Sequence, residues 1–110
     1  MIARVWRGRT PAAKADAYEA FLARTGLVDY RATPGNRGVL ALRRLDGEEA
    51  EFLLVSFWDS FEAIKHFAGP DAEKAYYYPE DEAFLIEREP RVSHYQVFSG
   101  EPPAGSGAGS

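Results

Sequence analysis

The sequence predicts an α+β domain built on a four-stranded antiparallel sheet with both helices on one face. Three observations carry that expectation. Residues 2–8, 39–45, 51–58 and 92–98 are short runs rich in β-branched, aromatic and other apolar residues, which read as strands. Segments with apolar residues at helical spacing follow the first and the third of these runs. An Asp46-Gly47 dipeptide, the strongest short hairpin signal in the chain, joins the second to the third. The resulting order, βαββαβ, closes a ferredoxin-like sheet.

In the first strand Ile2, Arg4 and Trp6 share one face, and Ala3, Val5 and Arg7 the other. Thr10-Pro11 then reads as a helix start, a capping threonine before a proline whose missing N–H costs nothing there. Ala15, Tyr18, Phe21 and Leu22 give that helix its apolar stripe, and Gly26 is placed to end it. Residues 27–38 read as a connection with a turn at Pro34-Gly35-Asn36. After the third strand, Asp59 with Glu62 matches a capping box for a second helix, buried through Phe61, Ile64, Phe67 and Ala68 and stopped by Gly69-Pro70. A short helical turn is expected over 71–77, and 76–90 reads as an aromatic, acidic loop with a short helical piece. The domain spans residues 1–98. Residues 99–110, rich in Gly, Pro and Ser, read as a flexible tail.

The strand at 51–58 does not alternate as a half-exposed strand should. Phe52, Leu54, Ser56 and Trp58 lie on one face and Leu53, Val55 and Phe57 on the other, so both faces are largely apolar. Val39 and Ala41 against Leu40 and Leu42 repeat the pattern in the neighbouring strand. Helices can cover only one side, which predicts a homodimer with a second copy of the sheet over the other.

The opening IARVW, the pattern RATPGNRG followed by LRR, the strand and helix FLLVSFWDSFEAI, and FAGPDAEKAYYYPED resemble the antibiotic biosynthesis monooxygenase (ABM) domain family over roughly residues 1–98. The resemblance implies a dimeric α/β barrel. It also implies a cofactor-free monooxygenase, in which a phenol or quinol anion itself activates oxygen within a shaped aromatic cavity. Trp58 matches the tryptophan at the end of the third strand in such enzymes. Their strand asparagine falls on Leu54, and their helix tyrosine on Ile64. Haem-degrading members of the family use an Asn, a Trp and an axial His. Those positions fall near Arg7, on His66 and near Tyr76, so none is kept by type.

The remaining chemistry is narrow. A net charge of −4 disfavours nucleic acid. With no cysteine there is no disulfide, thiol nucleophile or iron–sulfur cluster, which favours a cytoplasmic address, and no run approaches a membrane span. The serines lack a Gly-x-Ser-x-Gly setting, PGNRG lacks the ending of a phosphate loop, and two histidines 28 positions apart do not make a metal site. No resident metal or cofactor is expected. His66 reads either as a general base for a phenol proton or as a surface histidine of its helix. Tyr76 is the second candidate catalytic group. Tyr78 belongs to a run of three tyrosines, read as a lid over a flat ligand or as rings packed on a partner. Trp58, Trp6, Phe67, Tyr78 and His94 are the candidate substrate contacts, and the expected pocket lies between the sheet and the second helix, closed by residues 76–84. The sequence therefore points to an oxidoreductase on a small aromatic molecule, with a non-catalytic binding dimer and a porphyrin binder holding haem through His66 or Tyr76 as alternatives.

Overall fold

The computed structural model describes residues 1–102; the rest of the expected tail, residues 103–110, lies outside the described residues. Strands β1 (Ile2–Pro11), β2 (Asn36–Asp46), β3 (Glu49–Trp58) and β4 (Ser93–Gln96) form one sheet in the order β2-β3-β1-β4. All three pairings are antiparallel. Helices α1 (Ala15–Arg24), α2 (Gly26–Ala32) and α3 (Phe61–Ala68) complete the fold. This is the ferredoxin-like α+β architecture that the pattern of strands and helices predicts.

Several boundaries differ from expectation, each for a local reason. Strand β1 runs through Thr10 and Pro11, because Thr10 is fully buried opposite Ala50 and Pro11, which lacks an N–H, stands last in the strand. Helix α1 therefore starts later, after a 3-10 turn at Ala12–Lys14. Gly26 does not stop the helical region but opens α2, which packs Tyr30 into the core. Ser60, not Asp59, caps α3, its hydroxyl accepting from Ala63 N at 3.2 Å, while Asp59 pairs with Arg37 at 3.1 Å. No helix forms over 71–77. A single turn at Asp71 leads into a ladder with the chain before β4, where Ala75 N donates to Pro90 O and Val92 N to Glu73 O, both at 2.9 Å.

Strict alternation in β3 sends Ala50, Phe52, Leu54, Ser56 and Trp58 into the core beneath the helices. Facing them across β1 are Thr10, Gly8, Trp6, Arg4 and Ile2. Gly35, at φ +90°, lets the turn press against α3, where an added Cβ would meet Ala63 Cβ at 2.4 Å. Gly8 leaves room for the Trp6 ring, whose Cη2 would lie 2.4 Å from a Cβ there.

Among the described residues, the other sheet face carries no helix. Leu40, Val55 and Val5 form one row across it, and Leu42 and Leu53 another. Leu40 and Leu42 are 40% and 47% exposed, and Tyr95 on β4 is 60% exposed.

Candidate functional site

Rings converge where β1 and β3 meet α1, α2 and α3. Trp58 is fully buried at the end of β3, where its indole N–H donates to Ser56 Oγ at 2.9 Å, which locks the ring orientation. Tyr30 from α2 stacks on Phe67 from α3 with centroids 4.4 Å apart. Phe67 also meets Trp58 at 5.9 Å and Tyr76 at 5.4 Å, and Tyr76 meets Tyr78 edge-on at 5.2 Å. Tyr30, Phe67, Tyr76 and Tyr78, with Trp6, Tyr18 and Leu54, enclose a cavity of about 20 Å³, room for about one water, while Trp58 packs against Tyr30 and Phe67 outside its lining.

Residues 76–84 close this cage. Asp81, in the 3-10 turn Pro79–Ala83, is 3% exposed and receives the Tyr18 hydroxyl at 2.9 Å and the Tyr78 N–H at 2.7 Å. Burial, followed by the Asp81 carboxylate, pushes the Tyr18 phenol far above its ordinary range, so Tyr18 is the proton donor of that bond. The Tyr78 hydroxyl donates to Asp29, and burial and that carboxylate raise its phenol as well. Phe84 stacks on Phe21 at 5.3 Å.

Arg4, 1% exposed, touches Tyr30 and Phe67 but does not line the cavity. Nη1 donates to the Tyr30 hydroxyl at 3.3 Å and Nη2 to Lys74 O at 3.0 Å, and the guanidinium carbon stands 5.4 Å from the centre of the Phe67 ring. Nε has no partner, and none of the ion pairs among the described residues involves Arg4. Desolvation lowers the Arg4 pKa, with Tyr30 acting in the opposite direction, but a guanidinium stays charged at neutral pH. An unpaired buried cation costs several kcal/mol.

The structure brings four of the residues singled out from the sequence to the cavity, Trp6, Phe67, Tyr76 and Tyr78, and packs Trp58 against Phe67 outside its lining. It does not bring His66 there. His66 is exposed on α3 and borders a separate open groove of about 410 Å³ with Asp29, Ala32, Thr33, Pro34 and Phe67. His94 sits opposite Arg4 in the register of β1 and β4, against Phe61, and borders another open groove of about 660 Å³ between α3 and β4. Its Nε2 is buried without a partner, and burial lowers its pKa, followed by the Arg4 charge. Arg4, Tyr18, Tyr30 and Asp81 were not singled out from the sequence. The available signal was an arginine on the same strand face as Ile2 and Trp6. Among the described residues no cluster of His, Asp and Glu could hold a metal, and no helix is long and apolar enough to cross a membrane.

Fold and site together define a ferredoxin-like domain with an aromatic cage between sheet and helices. No protein-family model and no curated protein matches the chain. Among solved structures it is similar to an arginine-to-serine mutant of MhuD bearing two manganese protoporphyrin IX molecules per active site. That likeness has a TM-score of 0.62 and 20% identity, and covers 91% of this chain and 97% of the other. At that identity it shows the shared fold.

Proposed function

We propose that this protein is a cofactor-independent monooxygenase of the ABM type, acting on a phenol- or quinol-type small molecule held in the aromatic cage. The carrying observation is the convergence of Trp6, Tyr18, Tyr30, Phe67, Tyr76 and Tyr78 on one buried space behind a short closing segment. Stacked rings suit a flat aromatic ligand, and tyrosine hydroxyls suit its oxygens. A ligand site needs about 300–1,000 Å³, so entry requires residues 76–84 to swing outward. The segment is held by the Tyr18–Asp81 and Tyr78–Asp29 hydrogen bonds, by Lys14 Nζ donating to Ala83 O at 2.7 Å and by the packing of Tyr76, Tyr77, Tyr78 and Phe84, contacts that must be released together for it to open. In this reading Tyr76, beside Phe67 and 46% exposed, is the hydroxyl best placed to meet the substrate oxygen as the cage opens. The bare face of Leu40, Leu42, Leu53 and Val55 joins a second copy in a homodimer. The test is oxygen uptake by the metal-free protein with a panel of phenols and quinols. Consumption with one class and one oxygenated product supports the proposal, and no uptake across the panel refutes it.

The second reading, a porphyrin site, is favoured by the porphyrins in the similar structure. In this chain Tyr76 is the residue that would supply an oxygen to hold such a group at the cage, because neither histidine borders it. A Soret band that shifts on adding haem, and is lost in Tyr76→Phe, selects this reading.

A further inference from the structure

Asp81 holds the closing segment near its tip, but the base of the segment is a separate structure. The chain enters through residues 73–75 and returns through 90–92, and these stretches pair through Ala75 N to Pro90 O and Val92 N to Glu73 O. Two side chains of the sheet meet this base. Arg4 Nη2 donates to Lys74 O at 3.0 Å, while the rest of the guanidinium holds Tyr30 and Phe67, two rings of the cavity lining. His94, two residues beyond Val92, stands directly opposite Arg4 in the register of β1 and β4, on the same sheet face. Each buries a nitrogen that has no partner, Arg4 Nε and His94 Nε2. Arg4 has no carboxylate among the described residues, so a second cation beside it is resisted unless one of the two side chains moves. The charges around His94 do not offset this. Lys65 of α3, Asp71, Glu73 and Tyr95 border the same groove as His94. Lys65 adds a like charge. Glu73, which favours the protonated imidazole, is 64% exposed and shared with Arg91 at 3.8 Å.

We propose that His94 and Arg4 form an acid-operated release for residues 76–84: protonation of His94 parts it from Arg4, frees the base of the segment and opens the cage. The groove of about 660 Å³ between α3 and β4 gives the charged imidazole a way out to water. Proton linkage fixes the direction. In the closed form His94 is partly buried beside a cation, which disfavours its own charge; in the open form it meets water and takes up a proton near its ordinary pH of about 6.5. The open form therefore binds the proton first. Its share rises as pH falls below about 6.5, by up to tenfold per pH unit, until the closed form is protonated as well. Two routes carry the event to the cage. Movement of Arg4 gives up Lys74 O and loosens Tyr30 and Phe67. Movement of His94 pulls on β4, only four residues long and continuous with the returning stretch at 90–92. The inference rests on residues 76–84 closing a ligand site, and is independent of which ligand or reaction lies behind them.

The test is amide hydrogen exchange of the full chain by NMR between about pH 7.5 and 5, the range over which a histidine changes charge. Each rate is divided by that of an unstructured peptide at the same pH, so that only the opening equilibrium remains. His94 is titrated in the same samples through its Cε1–H resonance. At the upper end of the range the amides of Ala75, Phe84, Leu85 and Val92 should be less protected than the most protected amides of β3, which marks an opening smaller than global unfolding. Their protection should then fall with pH, about tenfold for each unit by which the His94 midpoint lies below 6.5. In His94→Asn that fall is expected to disappear. Glu73→Gln keeps the readout if His94→Asn does not fold, since it removes an exposed carboxylate and leaves the backbone bond to Val92 intact. There the His94 midpoint should move lower, and the fall in protection should continue to the same lower pH. A His94 midpoint at or above about 6.5 overturns the switch and leaves the closing segment standing. Protection indifferent to pH does the same, as does a fall that persists undiminished in His94→Asn or fails to follow the His94 midpoint in Glu73→Gln. Protection of all four amides equal to that of β3 overturns the segment as a separate moving unit and the switch with it. Oxygen uptake plays no part in the readout, so a failed phenol panel sinks the monooxygenase reading alone.

Discussion

Tyr18→Phe removes one oxygen and leaves the ring packing on Phe52 and Phe84, at 5.0 and 5.2 Å, in place. What is lost is the buried 2.9 Å bond to Asp81, whose other oxygen still accepts from Tyr78 N. A hydrogen bond to a charged group contributes about 1.5–3 kcal/mol, and the stranded carboxylate oxygen places this case inside that range rather than below it. Each kcal/mol moves the melting temperature of a domain of this size by about 4–8 °C, so the expected drop is on the order of 10 °C. The loss should also be local first. Phe84 and Leu85 donate their N–H groups to Asp81 O at 3.1 and 2.9 Å, so their amides should exchange with solvent faster than those of β3. Thermal denaturation followed by circular dichroism reads the first effect, and hydrogen exchange by NMR the second. A melting temperature within a degree of wild type, with unchanged exchange at Phe84 and Leu85, would show that Asp81 does not hold the closing segment.

Three further outcomes are expected. His66→Ala should leave turnover within about twofold, since the ring is exposed in a groove outside the cage; a fall on the order of 100-fold would restore it as a general base. His94 is held below its ordinary pKa by burial, then by Arg4, against a smaller upward pull from Glu73. The unfolded chain therefore takes up the proton first, near pH 6.5, and stability should decline as pH falls through that value. His94→Asn should flatten the slope of melting temperature between about pH 7 and 5, and an unchanged slope would count against the burial argument. Val55→Glu places a charge in the centre of the helix-free sheet face and should convert a dimer into a monomer by sedimentation, and equal sedimentation of the two proteins would place the interface elsewhere.

The elements that could be read from the sequence are those in which local chemistry and tertiary role agree. Asp46-Gly47 sits in its hairpin, Gly35 in its turn and Gly69, at φ +91°, just past α3. Thr10-Pro11 was misread because a capping threonine and a strand threonine look alike until the partner strand is known. Helix α2 was missed because Gly26 and Pro34 bracket a segment too short to show a period. The aromatic half of the site was legible, since rings must be buried somewhere. Its charged half was not, because a lone Arg4 in a strand ordinarily reaches water, and Asp81 lies within an acidic run that resembles a solvated surface. Which rings would share a cavity depended on how residues 76–84 cross over α1, and no spacing in the chain encodes that path.

Strand β1 occupies an unusual place in time as well as in space. It is synthesised before every other strand, yet β3 begins only at Glu49 and β4 at Ser93, and both pair with its opening residues, Ile2 to Gln96 and to Trp58. One of its backbone edges must stay unpaired until β3 has emerged, and the other until nearly the whole domain has left the ribosome. Folding is then a late, long-range event whose rate is limited by bringing distant segments together. In that interval β1 is a sticky ribbon carrying Trp6 and Val5, and the nascent chain is most exposed to aggregation and to chaperone capture.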